Sequence, residues 1–170
     1  MKEIVQDGDL VLREKAHEVL IKDITSDAVV SLLKDMREAL EKKEYGVALA
    51  APQIGVALRI FIVADRVFNE EQLKERTHIF VNPTIIKTSK KTDELEEACL
   101  SVEGYFGTTT RAQQVTVEAY NEHGIKFTRG ASGLLAQIFQ HEIDHLNGIL
   151  YIDHARNVRE VVAQEETGHE

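Results

Sequence analysis

Five residues near the end of the chain, His141-Glu142-Ile143-Asp144-His145, constrain it more than any other stretch. They lie in residues 133–147, whose apolar spacing predicts a helix that Ser132 can cap and Gly148 stops. Four residues apart on a helix, His141 and His145 project from one face and can share one metal ion. Glu142 is within reach of a water on such an ion and has the chemistry of a general base. Taken alone, the string also fits a polar helix face with two hydrogen-bonded histidines. A catalytic metal site usually has three protein ligands and one open position, so the rest of the chain has to supply the third.

Downstream, the longer pattern His-Glu-x-x-His-x-x-Gly-x-x-His is met through Gly148 and fails at Tyr151, while Asp153 and His154 fall at the wrong spacing. A glutamate ligand further on exists only from Glu160, too late for the usual second helix. Upstream, the single cysteine, Cys99, is the candidate. A thiolate with two imidazoles suits Fe(II), Zn(II), Ni(II) or Co(II) in a tetrahedral site. By itself a lone cysteine is more often a small buried hydrophobe.

The 170 residues, 19.2 kDa, correspond to one domain long enough to bury a core. No apolar run approaches the roughly 18–20 residues of a spanning helix, and Met1-Lys2-Glu3-Ile4 carries no secretory or transit signature. One cysteine cannot form an internal disulfide, which points to a reducing, cytosolic compartment. A net charge of −9 disfavours non-specific nucleic-acid binding, which depends on neutralising phosphates.

Residues 25–43 place Val29, Val30, Leu33, Met36, Ala39 and Leu40 near a 3.6-residue period and read as a helix capped by Thr25 or Ser26. Residues 59–64 read as a buried strand, and 78–87 as strand-like on both sides of Asn82-Pro83. Residues 65–76 read as a loop and 87–96 as a charged connection. Residues 115–120 and 125–128 form the arms of a hairpin around a turn at 121–124. Strands cluster instead of alternating with helices, so the fold class is α+β. Residues 156–170 end in a polar tail that is expected to be mobile.

Three segments resemble a known family. Glu97-Ala98-Cys99-Leu100-Ser101 resembles the Glu-Gly-Cys-Leu-Ser motif of peptide deformylases. Gly46-Val47-Ala48-Leu49-Ala50-Ala51-Pro52-Gln53 resembles their Gly-φ-Gly-φ-Ala-Ala-x-Gln motif, φ being apolar. His141 to His145 matches their third motif, His-Glu-x-Asp-His, at every fixed position. The motifs stand in the family order with family-like separations, and weaker likeness runs through residues 9–13 and Asn82-Pro83. The resemblance covers residues 4–155.

The resemblance implies a catalytic domain over residues 1–155, with antiparallel or mixed sheets around a central metal-binding helix, and a partly mobile extension over 156–170. It implies a metal-dependent hydrolase that removes the N-formyl group from the initiator methionine of nascent polypeptides. Such a protein would be a cytoplasmic, bacterial-type monomer that meets its substrate at the ribosome exit, with no specific nucleic acid and no membrane. Cys99, His141 and His145 would hold one divalent ion, Fe(II) first, with Zn(II), Ni(II) or Co(II) as alternatives. Glu142 would take a proton from metal-bound water and pass it to the leaving amine. The Gln53 side chain and the Leu100 backbone N–H would stabilise the oxyanion. An extended formyl-peptide would lie as an added strand beside the loop opened by Gly46, with main-chain bonds to Val47, Ala48 and Ala98. Val47, Ile138 and the His141 ring would border the methionine pocket, while Leu134 reads as ordinary core.

Departures from the family pattern fall near the substrate. Ala48 and Ala98 replace glycines on walls that the substrate backbone approaches. Gln137 is polar where the family pocket is commonly apolar, and it faces either the pocket mouth or solvent. Glu103 and Leu10 stand where many relatives have proline. Phe106 falls near the place where some members offer an arginine, so no such contact is carried over. Asp144 reads as a residue outside the metal's ligands, paired with a basic group such as Arg111. Two other readings remain: a zincin-type peptidase with a downstream ligand such as Glu160, and a catalytically weak formyl-peptide-binding protein supported only by the two alanines.

Overall fold

The first long helix forms where the apolar period predicts it. In the computed structural model, which describes residues 2–71 and 78–161, α1 spans Asp27–Glu41. Ser26 caps it, its hydroxyl accepting the Val29 N–H at 3.4 Å. The buried stripe is Val29, Leu32, Leu33, Met36, Ala39 and Leu40. Val30, expected in the core, is 55% exposed. A turn of 100° per residue carries position 30 off the stripe and brings Leu32 onto it.

Five antiparallel strands form the larger sheet: β1 (Ala48–Ala50), β2 (Ile60–Val63), β3 (Ile79–Thr88), β6 (Gln114–Tyr120) and β7 (Lys126–Ser132), in that spatial order. Every residue of β2 is buried because both faces are covered. Ile60 and Ile62 pack with α1, while Phe61 and Val63 pack with the second helix, α2 (Gly133–Leu146). Phe80 stacks on Phe61 at 4.5 Å and meets Phe139 of α2 edge-on at 4.9 Å. Asn82-Pro83 interrupts β3 as an irregularity in register. Asn82 holds φ 50, and its side chain bonds both backbone groups of Val19 at 2.8 Å.

The smaller sheet is β4 (Thr92–Cys99), β5 (Val102–Ala112) and β8 (Arg156–Glu160), also antiparallel. Of the stretch read as a charged connection, 87–96, Lys87 and Thr88 end β3 and the part from Thr92 onward is the strand β4. It is an edge strand with most side chains in water, so it shows no apolar alternation. β5 carried no expectation from the sequence. β8 lies beyond the boundary at 155, with all five residues exposed, and extends the sheet. Residues 162–170 of the tail and 72–77 of the expected loop lie outside the described residues; 65–67 form one 3-10 turn.

α2 starts at Ser132, but that side chain makes no capping hydrogen bond, contrary to expectation. Its other end is firmly closed. Gly148 has φ +74, and a Cβ there would sit 2.5 Å from the Arg13 carbonyl oxygen. Arg59 donates to the Leu146 carbonyl at 2.8 Å and to Asn147 Oδ1 at 3.1 Å. The helix is thus fixed against the larger sheet with one flank facing the end of β4.

Candidate metal centre

The two sheets bring the distant motifs together. Cys99 ends β4 and faces α2, and the ligand atoms of Cys99, His141 and His145 all lie within 4.8 Å of one another. Cys99 Sγ is 3.3 Å from His145 Nε2. One sulfur and two imidazoles, with room for a fourth ligand, form a donor set that fits a tetrahedral divalent ion. Beside them Glu142 Oε2 and His145 Nδ1 are buried without a hydrogen-bond partner among the described residues. Unpaired buried polar atoms are costly, and here they flank the ligand set.

The cysteine sulfur is held by donors. Ser101 N–H reaches it at 3.4 Å and Gln53 Nε2 at 3.6 Å. Gln53 is fixed because its Oε1 accepts the Ala50 N–H at 2.9 Å, which turns its nitrogen toward Cys99 and Ser101 Oγ. The N-terminal segment laces the same loop, an element that the sequence reading missed. Gln6 donates to the Leu100 carbonyl at 2.9 Å and accepts the Glu103 N–H at 3.2 Å.

Glu97 has a role that the sequence reading did not assign. It is 6% exposed and its Oε2 lies 2.8 Å from His141 Nδ1. Arg111 grips both of its oxygens, at 2.7 and 2.8 Å, and Thr109 donates to it at 2.9 Å. Arg111 also reaches Asp144 at 2.7 Å, the pairing expected from the sequence. A carboxylate on the far nitrogen of a ligating histidine sets the ring's orientation and tautomer. The signal was available: Glu97 and Cys99 are two apart, hence on one face once the stretch is a strand, but the sequence reading gave the motif residues 97–101 no strand.

Burial opposes charge throughout this cluster. Burial would raise the Glu97 carboxyl, yet the bonds from Arg111 and His141 outweigh it and hold the group well below the usual carboxylate range. Burial would lower His141, and its bonds to Cys99 and Glu97 outweigh that and raise it well above the ordinary histidine value. Burial takes His145 well below it. Glu142 is pushed up to about 7 by burial, against the opposing charge of His141.

A cleft of about 480 Å³ opens onto these groups. Gly46, Val47, Ala48, Gln53, Ala98, Cys99, Leu100, Ile138, His141 and Glu142 all line it. His145 is not on its wall and is 1% exposed behind it. Leu134, read as core, is 53% exposed on the cleft. Gln137 lines the cleft and donates to the Glu96 carbonyl at 2.9 Å. Phe106 carries the Arg159 guanidinium over its ring at 4.0 Å. Glu160, the ligand that a zincin would need, stands on β8, takes the Tyr105 hydroxyl at 3.1 Å and is not among the grouped ligands.

Among the described residues no helix is long and apolar enough to cross a membrane. The sequence model described as Polypeptide deformylase matches residues 1–161. The peptide deformylase of Halothermothrix orenii is 47% identical over 146 residues, covering 86% of this chain and 88% of its own. That of Carboxydothermus hydrogenoformans is 41% identical, covering 91% and 93%. The crystal structure of a peptide deformylase from Legionella pneumophila superposes with a TM-score of 0.79 at 35% identity, over 92% of this chain and 87% of that one. One from Synechococcus elongatus, in complex with actinonin, gives 0.79 at 30% identity, over 92% and 79%. Fold, motif order and ligand geometry agree with these likenesses, and the chain belongs to the peptide deformylase family, metal-dependent enzymes that remove the N-formyl group from nascent peptides.

Proposed function

We propose that Cys99, His141 and His145 hold one divalent ion, Fe(II) first and Zn(II), Ni(II) or Co(II) as alternatives, and that Glu142 carries the proton in deformylation of an N-formylmethionyl peptide. The observation that supports this most is the clustering of one sulfur and two imidazoles within 4.8 Å, beside a buried carboxylate oxygen without a partner. When bound, the ion supplies a water of lowered pKa and Lewis-acid polarisation of the formyl group. Glu142 accepts the proton of the attacking water at Oε2 and returns it to the amine nitrogen as the carbon–nitrogen bond breaks. The products are formate and a free amino terminus. Gln53 Nε2, locked through its oxygen, and the Leu100 N–H donate to the negative charge that develops on the formyl oxygen. Glu97 and Arg111 hold the His141 ring in place.

The peptide is read as an added strand between the start of β1 and the end of β4, pairing with Val47, Ala48 and Ala98. The Val47 carbonyl already accepts the Ala64 N–H at 2.8 Å, so pairing at Val47 falls first to its own N–H. Val47, Ile138 and the His141 ring form the pocket for the first side chain, with Gly46 at its entrance. On this reading the catalytic domain runs over 1–155, with 156–170 an extension whose first strand is docked on β5. The enzyme works as a cytoplasmic monomer on nascent chains at the ribosome exit and grips no specific nucleic acid, in keeping with its net charge of −9.

One anaerobic experiment tests the proposal: metal analysis of the purified protein together with formate release from formyl-Met-Ala-Ser. One ion per chain and stoichiometric formate are expected. Correctly metallated protein that leaves the peptide intact overturns the proposal.

A further inference from the structure

We infer that Gln137 gives the first-side-chain pocket a fixed polar wall, so that the enzyme also deformylates peptides whose first residue ends in a hydrogen-bond acceptor, methionine sulfoxide above all. This rests on the reading of the cleft beside α2 as that pocket. Leu134, Gln137, Ile138 and His141 stand at i, i+3, i+4 and i+7 on the helix, and all four line the cleft. Across from them the wall includes Val47 and Leu100. Gln137 thus places a carboxamide between Leu134 and Ile138 on the helix face that lines the cleft.

The amide is held. One Nε2 hydrogen goes to the Glu96 carbonyl at 2.9 Å. That residue is anchored in turn: the Glu96 carboxylate pairs with Arg159 of β8, and the Arg159 guanidinium lies 4.0 Å above the Phe106 ring. A carboxamide has two N–H donors and an oxygen acceptor. The bond to Glu96 uses one donor, and the second N–H and Oε1 have no bond to the described residues. Gln137 is half-buried, so water serves these groups in the free enzyme. An apolar side chain that displaces this water leaves the amide unpaired, whereas a sulfoxide oxygen accepts the second N–H and replaces the lost bond. No covalent step changes, since the bond broken is still the formyl carbon–nitrogen bond.

The test measures kcat/KM on the metallated full-length enzyme for three peptides: formyl-Met-Ala-Ser, its norleucine analogue and its methionine-sulfoxide analogue. Replacing Gln137 with leucine (Gln137→Leu) should lower the sulfoxide-to-norleucine ratio by about tenfold, the discrimination that one hydrogen bond supplies. Dissociation constants of the same peptides on Glu142→Gln and on Glu142→Gln/Gln137→Leu should show the same change, which ties it to binding. An unchanged ratio overturns the inference. Should the leucine variant not fold, the wild type decides alone: sulfoxide turnover more than roughly a hundredfold below that of norleucine overturns it. Wild-type enzyme that releases no formate from any of the three overturns the deformylase reading itself, whereas brisk turnover with an unmoved ratio overturns only the role of Gln137.

Discussion

The smaller sheet carries ion pairs on its two faces, and they are not alike. On the inner face Arg111 and Glu97 have side chains 6% and 4% exposed. On the outer face Arg156 and Glu94 are 58% and 64% exposed, and Arg159 and Glu96 are 44% and 66% exposed. The pleat of β4 separates the two populations: 94 and 96 point one way, 97 and 99 the other. Inside, the cost of desolvating two charges is offset because the Glu97 oxygens are filled by Arg111, Thr109 and His141. Outside, water screens the attraction and long side chains lose entropy by pairing. One strand therefore uses the same residue types for two purposes. The inner carboxylate orients the His141 ring, and the outer ones keep an edge strand solvated and docked.

Changes on the inner face should dominate. Glu142→Gln should lower formate release by at least about 10²–10⁴-fold while metal content is kept; wild-type turnover in metallated variant would remove Glu142 from its assigned role. Arg111→Leu leaves Glu97 charged and buried without its main partner, and should cost about 3–5 kcal/mol in denaturant unfolding. The same variant should weaken metal affinity by about 10–100-fold, read by chelator competition. A loss under about 1 kcal/mol would place the inner pair with the outer ones and end the contrast. Thr109→Val removes one donor to the same carboxylate, and should cost about 1.5–3 kcal/mol in the same melts.

A titration sharpens the contrast at a second histidine. His78 Nδ1 lies 3.2 Å from Asp65, whose side chain is 81% exposed. Burial outweighs that screened neighbour and lowers His78 below its ordinary value. The unfolded chain thus takes up a proton that the folded chain refuses as pH falls below about 6.5. Stability from this group is full above that point and is lost as pH drops through the folded value. Melting temperatures at about pH 7.5 and about pH 5.5 should differ more for the wild type than for His78→Phe; equal differences would dismiss His78 as the cause. The smallest effect is expected at the outer pair, where Arg156→Ala should change stability by less than about 1 kcal/mol, and a larger loss would mean that β8 is a structural staple.

Legibility in the sequence followed burial. The helix of His141 and the strand β2 were readable because their apolar periods reflect contact with the core. β4 and β8 were not, because an edge strand in water has no apolar face to announce it. Leu134 was misjudged for a related reason: an apolar residue on a helix can line an open cleft as well as a core, and the pattern is the same. Glu97 was visible as a letter of a motif, but its work depends on Arg111, Thr109 and His141, which approach it only when β5 and α2 close around β4.

By itself, the sequence determined the chemistry available to this protein: one thiol, two histidines a helical turn apart, a glutamate between them and a glutamine to donate a hydrogen bond. These follow from residue type and local spacing, which a chain carries before it folds. Tertiary structure alone decided which atoms face each other. It brought Cys99 to the histidines across more than forty positions of sequence, hid Glu97 behind His141 and turned Gln137 into the cleft. Those outcomes depend on strand register and helix docking, which are set by the packing of the whole core and not by any segment alone.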